Sequence, residues 1–176
     1  MLGKRINVIA FLNAYLQGVS GGDSRFVEIM KRLCEKNAVN LTVVTSRMGK
    51  SFCKERELNA IFKVTTRENK VDSSVLLYLM RIVSSLRFTF KIENRTILYA
   101  ASQFLPDVLP IYVLRHGNKN VRWVQTLYHL VPPPTRRDGS FVTNFFSFSA
   151  QKIALALVRR QADLIFVLNH IVVLIL

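Results

Sequence analysis

Acidic residues are scarce in this chain: 11 Asp and Glu stand against 25 Lys and Arg, for a formal net charge of +14. The excess runs 17 against 8 up to residue 100 and 8 against 3 after it, so it is not gathered into a tail. Such a balance suits anionic partners, whether phosphate-bearing ligands, anionic lipid or nucleic acid, and does not choose among them. Cysteine is nearly missing as well. Cys34 and Cys53 alone make no zinc site, and free thiols in a reducing compartment are expected. No apolar run reaches the ~20 residues that span a bilayer, and Met-Leu-Gly-Lys-Arg-Ile leads straight into an apolar strand, so no signal peptide is expected. There is no internal repeat and no low-complexity linker. Equally lacking are a Ser-His-Asp order, paired carboxylates in loop positions, a metal-ligand cluster and the Gly-x-Gly-x-x-Gly fingerprint. A self-sufficient catalytic centre is therefore excluded.

What is present is an alternation of strand and helix signals in a 176-residue chain with 50 % apolar residues. Ile6 to Phe11 forms an apolar run of the kind covered on both faces of a sheet. A loop from Leu12, closed by Gly18, Gly21 and Gly22, leads to a helix capped by Asp23 or Ser24, with Phe26, Ile29, Met30 and Leu33 on one side. Leu41 to Thr45 is a second strand, Ser46 to Lys54 a basic loop, and Ile61 to Thr65 a third strand. Asp72 or Ser73 starts a long helix reaching Phe90. Thr96 to Ala100, Val121 to Leu127 and Ala162 to Leu168 are further strands; Pro106 and Asp107 open a helix closed by Gly117, and Phe141 to Arg160 is the last helix. Pro132 to Pro134 hold an extended loop through Arg136 and Arg137. The pattern predicts an α/β fold with a doubly wound, mainly parallel Rossmann-like sheet over residues 1–170, followed by an apolar tail at 171–176.

In such a sheet ligands sit at the carboxyl ends of the strands. Gly21 and Gly22, before a helix N-terminus, leave bare amides that favour a phosphate; alternatively they only permit a turn at positive φ. His129 follows a strand, where an imidazole either bonds a sugar hydroxyl or phosphate or merely ends the strand. Arg136 and Arg137 either hold a phosphate or are simply solvated. His116 belongs to a helix C-terminus, and Asp107 to its helix start. Along the helix before Phe90, Tyr78, Arg81, Arg87, Phe88, Phe90 and Lys91 could face a membrane. The preferred reading puts its apolar stripe on the sheet and its basic residues in water.

Three segments together resemble the N-terminal half of family 4 glycosyltransferases, which have the two-domain GT-B fold. They are Gly21-Gly22-Asp23-Ser24-Arg25-Phe26, then Ala101-Ser102-Gln103-Phe104-Leu105-Pro106-Asp107-Val108-Leu109-Pro110, then His129-Leu130-Val131-Pro132-Pro133-Pro134. The resemblance implies an acceptor-side domain of a retaining hexosyltransferase that moves a sugar from a nucleotide-sugar to a lipid-linked or polysaccharide acceptor. Gly21 and Gly22 would approach the donor diphosphate, His129 the transferred sugar, and Arg136 and Arg137 a phosphate or the acceptor. No metal and no cofactor are implied, the nucleotide-sugar being a co-substrate. The implied location is cytoplasmic, peripheral on an anionic membrane face. The donor-binding domain with its Glu-x7-Glu signature is missing from this sequence, so truncation near residue 171 and inactivity of the chain alone are expected. Two other readings compete. One is a basic module that binds nucleic acid through Lys50, Lys54 and Arg56, without a recognised motif. The other is an NADP-dependent reductase using Arg47, opposed by the missing glycine fingerprint.

Overall fold

The computed structural model describes residues 5–14, 21–36, 39–65, 74–90, 92–93, 95–128 and 130–167. Six parallel strands make one sheet: β1 (Ile6–Leu12), β2 (Val39–Thr45), β3 (Ile61–Val64), β4 (Thr96–Ala100), β5 (Arg122–Leu127) and β6 (Leu164–Val167), in the order β3-β2-β1-β4-β5-β6. The order reverses between β1 and β4. Helices α1 (Gly21–Glu35) and α2 (Arg47–Glu55) cover one face, where Phe26, Met30, Phe52 and Cys53 meet Ala10, Leu12 and Val43. Helices α3 (Ser74–Leu86), α4 (Leu105–Gly117) and α5 (Phe141–Gln161) lie on the other, where Ile111, Ala154 and Val158 meet Phe11, Leu98 and Trp123. This is a doubly wound, Rossmann-like sheet. The central strands are apolar on both sides because both sides are covered.

Several boundaries and one element differ from the sequence expectation. Ser46 to Lys54 is not a loop but helix α2. Ser46 caps it, its Oγ accepting the Gly49 N–H at 3.1 Å, and buried Phe52 and Cys53 hold it to the sheet. Helix α1 begins at Gly21, so Asp23 and Ser24 lie inside its first turn and not at the N-cap position. Helix α3 stops at Leu86; Phe88 and Phe90 lie beyond it, and the Phe90 ring meets Phe11 edge-on at 6.0 Å. The proline loop contains a short 3-10 turn at Pro134–Arg136.

Strand β6 is an edge strand. Leu164 and Phe166 are exposed. Its start is fixed by Asp163, which accepts the Trp123 N–H at 2.7 Å and bonds from Arg115 and Arg122. Burial alone raises that carboxyl, but those three donors outweigh it and hold it below the usual carboxylate range. Both cysteines are free thiols; burial pushes that of Cys53 up to about 12, so it is inert. The expected caps Asp72 and Ser73, Gly18, His129, His170 and the tail 171–176 lie outside the described residues.

The orientation of α3 overturns the expected one. Arg81 is 1 % exposed, while Leu79, Met80, Val83 and Leu86 are turned to solvent. Apolar spacing alone favours the opposite arrangement. Polar groups at the end of β1 decide instead: Arg81 Nη1 donates to the Asn13 carbonyl at 3.3 Å, and Asn13 Nδ2 donates to the Arg81 carbonyl at 2.9 Å.

Candidate functional site

At the reversal of strand order, between the carboxyl ends of β1 and β4, lies a buried polar layer. Asn13, the first residue after β1, sits at its centre and is completely buried. Its amide oxygen accepts from Thr65 Oγ1 at 2.5 Å, at the end of β3, and its other groups engage Arg81 on α3. Thr45, closing β2, donates through Oγ1 to the Leu12 carbonyl at 2.7 Å. Asn13, Thr45 and Thr65 are each tied by hydrogen bonds to a neighbouring element, which stiffens the layer.

Asp107, in the first turn of α4, fastens the two loops to each other. One carboxylate oxygen accepts the N–H groups of Asn13 and Ala14, at 2.5 and 2.9 Å. The other accepts Ser102 Oγ at 2.6 Å. The carboxyl is fully buried, which pushes its pKa up to about 7 against the pull of those three donors. Fully buried and held by three donors, Asp107 ties the segments after β1 and β4 together.

The β4 and β5 loops complete the rim. Gln125 Nε2 donates to the Ser102 carbonyl at 2.7 Å, and Gln103 Oε1 accepts the Tyr128 N–H at 3.2 Å. The Tyr128 hydroxyl then crosses to α1 and donates to the Gly22 carbonyl at 2.8 Å. A Cβ added at Gly22 would lie 2.7 Å from this ring. Gly22 is therefore small for a packing reason, and neither it nor Gly21 has positive φ. The expected turn explanation fails, while the amides of Gly21 and Gly22 do open a helix N-terminus beside the crevice. Gly22→Ala should lower stability by about 1–2 kcal/mol by displacing Tyr128 and breaking its bond. Thermal melts of this variant and of Tyr128→Phe will measure that; a wild-type melt for Gly22→Ala would refute the contact.

Of the other expected site residues, Arg136 and Arg137 are exposed in the 3-10 turn and just after it, with no ion pair to a described residue. His116 closes α4 and stacks on Tyr112 at 6.4 Å. Among the described residues no group of three or more His, Cys, Asp or Glu is placed to hold a metal. Two surface grooves lie elsewhere: one of about 610 Å³ along α1, between Arg25, Lys31 and Arg56, and one of about 460 Å³ near Arg5, Asn40 and Ile61 at the amino end of the sheet.

Sequence reasoning assigned no individual role to Asn13, Ser102 and Gln103 and placed Arg81 in water. The available signal was position: Asn13 ends an apolar run, and Ser102-Gln103 follows another. These features define a Rossmann-like α/β domain with a hydrogen-bonded polar layer at its switch point. Comparison with protein-family models, with curated proteins and with solved structures finds no match to this chain.

Proposed function

We propose that this chain is the acceptor-side half of a retaining glycosyltransferase of the family 4 type. It would hold a lipid-linked or polysaccharide acceptor while a second domain binds the nucleotide-sugar. One observation supports this reading above others: a densely hydrogen-bonded polar floor lies where the segments after β1 and β4 meet, tied together by Asp107. Such a floor suits a domain that binds and orients one substrate and leaves diphosphate stabilisation to its partner. In this reading Gly21 and Gly22 face the donor diphosphate, His129 the transferred sugar, and Arg136 and Arg137 a phosphate of the acceptor.

Calorimetric titration with oligosaccharides, a lipid-linked sugar, NADPH and single-stranded RNA tests the proposal. A glycan should bind in preference to the dinucleotide and the RNA. Tight binding of NADPH or RNA, with no glycan bound, would replace it with one of the competing readings. The purified chain should also transfer no sugar from a nucleotide-sugar, because half a cleft cannot orient the anomeric carbon. Measurable turnover would contradict this.

A further inference from the structure

We propose that the groove between α1 and the end of α2 binds an uncharged oligosaccharide that runs outward from Gly21. Gly21, Ser24, Glu28 and Lys31 recur at three- and four-residue intervals and so line one side of it along α1. From Gly21 to Lys31 that side is about 15 Å long, at the helical rise per residue. Residues at the end of α2 form the other side, and the space between is about 610 Å³.

Charge selects the ligand. Arg25, Lys31 and Arg56 are balanced by Glu28, Glu55 and Glu57, so the lining is neutral in a chain of net charge +14. A polyanion would meet the three carboxylates, and a polycation the three basic groups. Hydroxyl groups both donate and accept. A sugar chain can therefore use the carboxylates as acceptors and the cations as donors without a charge of its own. Two of those donors are already held in place. The Arg56 guanidinium lies 3.9 Å over the Phe52 ring, and Lys31 donates to the Arg56 carbonyl at 3.5 Å and to the Glu57 carboxylate at 3.1 Å.

The backbone at Glu57 is an independent observation. Helix α2 ends in a Schellman turn, in which the Leu58 N–H donates to the Cys53 carbonyl at 3.0 Å and the Glu57 N–H to the Lys54 carbonyl at 2.9 Å. The left-handed residue of such a turn is usually glycine; here it is Glu57, at φ 59°. A β-carbon is strained there, and an exposed ion pair with Lys31 is too weak to offset that strain. What the side chain supplies is a carboxylate on the groove, 83 % exposed. Strain of this kind collects at sites where a side chain meets a ligand. The inference deepens the acceptor-side reading and rests on it: the reacting sugar would sit at the carboxyl ends of β1 and β4, and the uncharged sugars behind it along α1.

Calorimetric titration of the full chain with neutral gluco-, manno- and galacto-oligosaccharides of two and of six sugars, and with a six-sugar oligogalacturonate, tests this. In the series that binds, six sugars should bind about tenfold more tightly than two, since one net hydrogen bond to a charged group is worth about that much. The oligogalacturonate should bind more weakly than the neutral chain. Glu57→Gly should remove most of the six-sugar advantage while its melting temperature holds or rises, because glycine relieves the turn. Arg56→Gln should reduce the advantage as well. A purely structural Glu57 would move the melt and leave the ratio of affinities intact. Equal affinity for both lengths, a ratio unchanged in both variants, or preference for the oligogalacturonate would overturn the groove and leave the acceptor-side reading standing. Binding of no oligosaccharide at all would overturn both.

Discussion

Asp107→Ala should cost about 3 kcal/mol or more, the largest effect expected of a polar substitution in this chain. It strands the buried N–H groups of Asn13 and Ala14 and the hydroxyl of Ser102, and a buried donor without a partner costs about 1–3 kcal/mol. Asp107→Asn should be far milder, since an amide oxygen still accepts from both backbone groups. The two variants also differ in pH dependence. The folded chain keeps the Asp107 proton up to about pH 7, whereas an unfolded aspartate releases it near pH 4. Between those values the folded state binds more protons, so Asp107 adds stability as pH falls, and that contribution is lost as pH rises through about 7. Asp163 works in the other direction and a lower window: its depressed carboxyl stabilises above the ordinary aspartate range and fails only on further acidification. Urea denaturation at pH 5.5 and pH 8 separates them. Wild type should be the more stable at pH 5.5 by a margin that shrinks in Asp107→Asn. An unchanged margin would remove Asp107 as its source.

Gly49→Ala should cost about 2–3 kcal/mol, although Ala is ordinarily the better helix residue. A Cβ at Gly49 would lie 2.0 Å from Thr45 Oγ1, an overlap that neither a strand nor a capped helix turn absorbs easily. Relief requires Thr45 to turn away, which breaks its bond to the buried Leu12 carbonyl under the crevice. Thr45→Ala removes the obstructing hydroxyl, so the double variant should be less destabilised than the sum of the single ones. Additive losses in denaturant melts would show that the overlap is relieved elsewhere.

Gly49 also marks where sequence reading fails. In Ser46 to Lys54 a glycine and three basic residues suggested a loop, and they hid the helical spacing of Met48, Phe52 and Cys53. The glycine is there for close packing, which only the neighbouring strand reveals. The strands were legible because buried parallel strands read as apolar runs, and Thr96–Ala100 fell on its expected bounds. The helix start at Pro106 and Asp107 was legible for local reasons too. That the same Asp107 grips Asn13, 94 residues away, was not, since no local pattern encodes a contact at that separation. Arg81 was misjudged because its charge implied water, while the unsatisfied groups at the end of β1 recruit it inward. Gly22 was singled out for its bare amide or its tolerance of positive φ, whereas the Tyr128 ring is what requires its smallness.

The central proposal is that a glycan binds at the carboxyl ends of β1 and β4. Backbone amide chemical shifts, followed while the labelled chain is saturated with the glycan that titration identifies, test it most directly. The account predicts that the largest changes fall on Asn13, Ala14, Gly21, Gly22, Ser102, Gln103 and Tyr128. Changes confined to the opposite end of the sheet, around Arg5, Asn40 and Ile61, would contradict it.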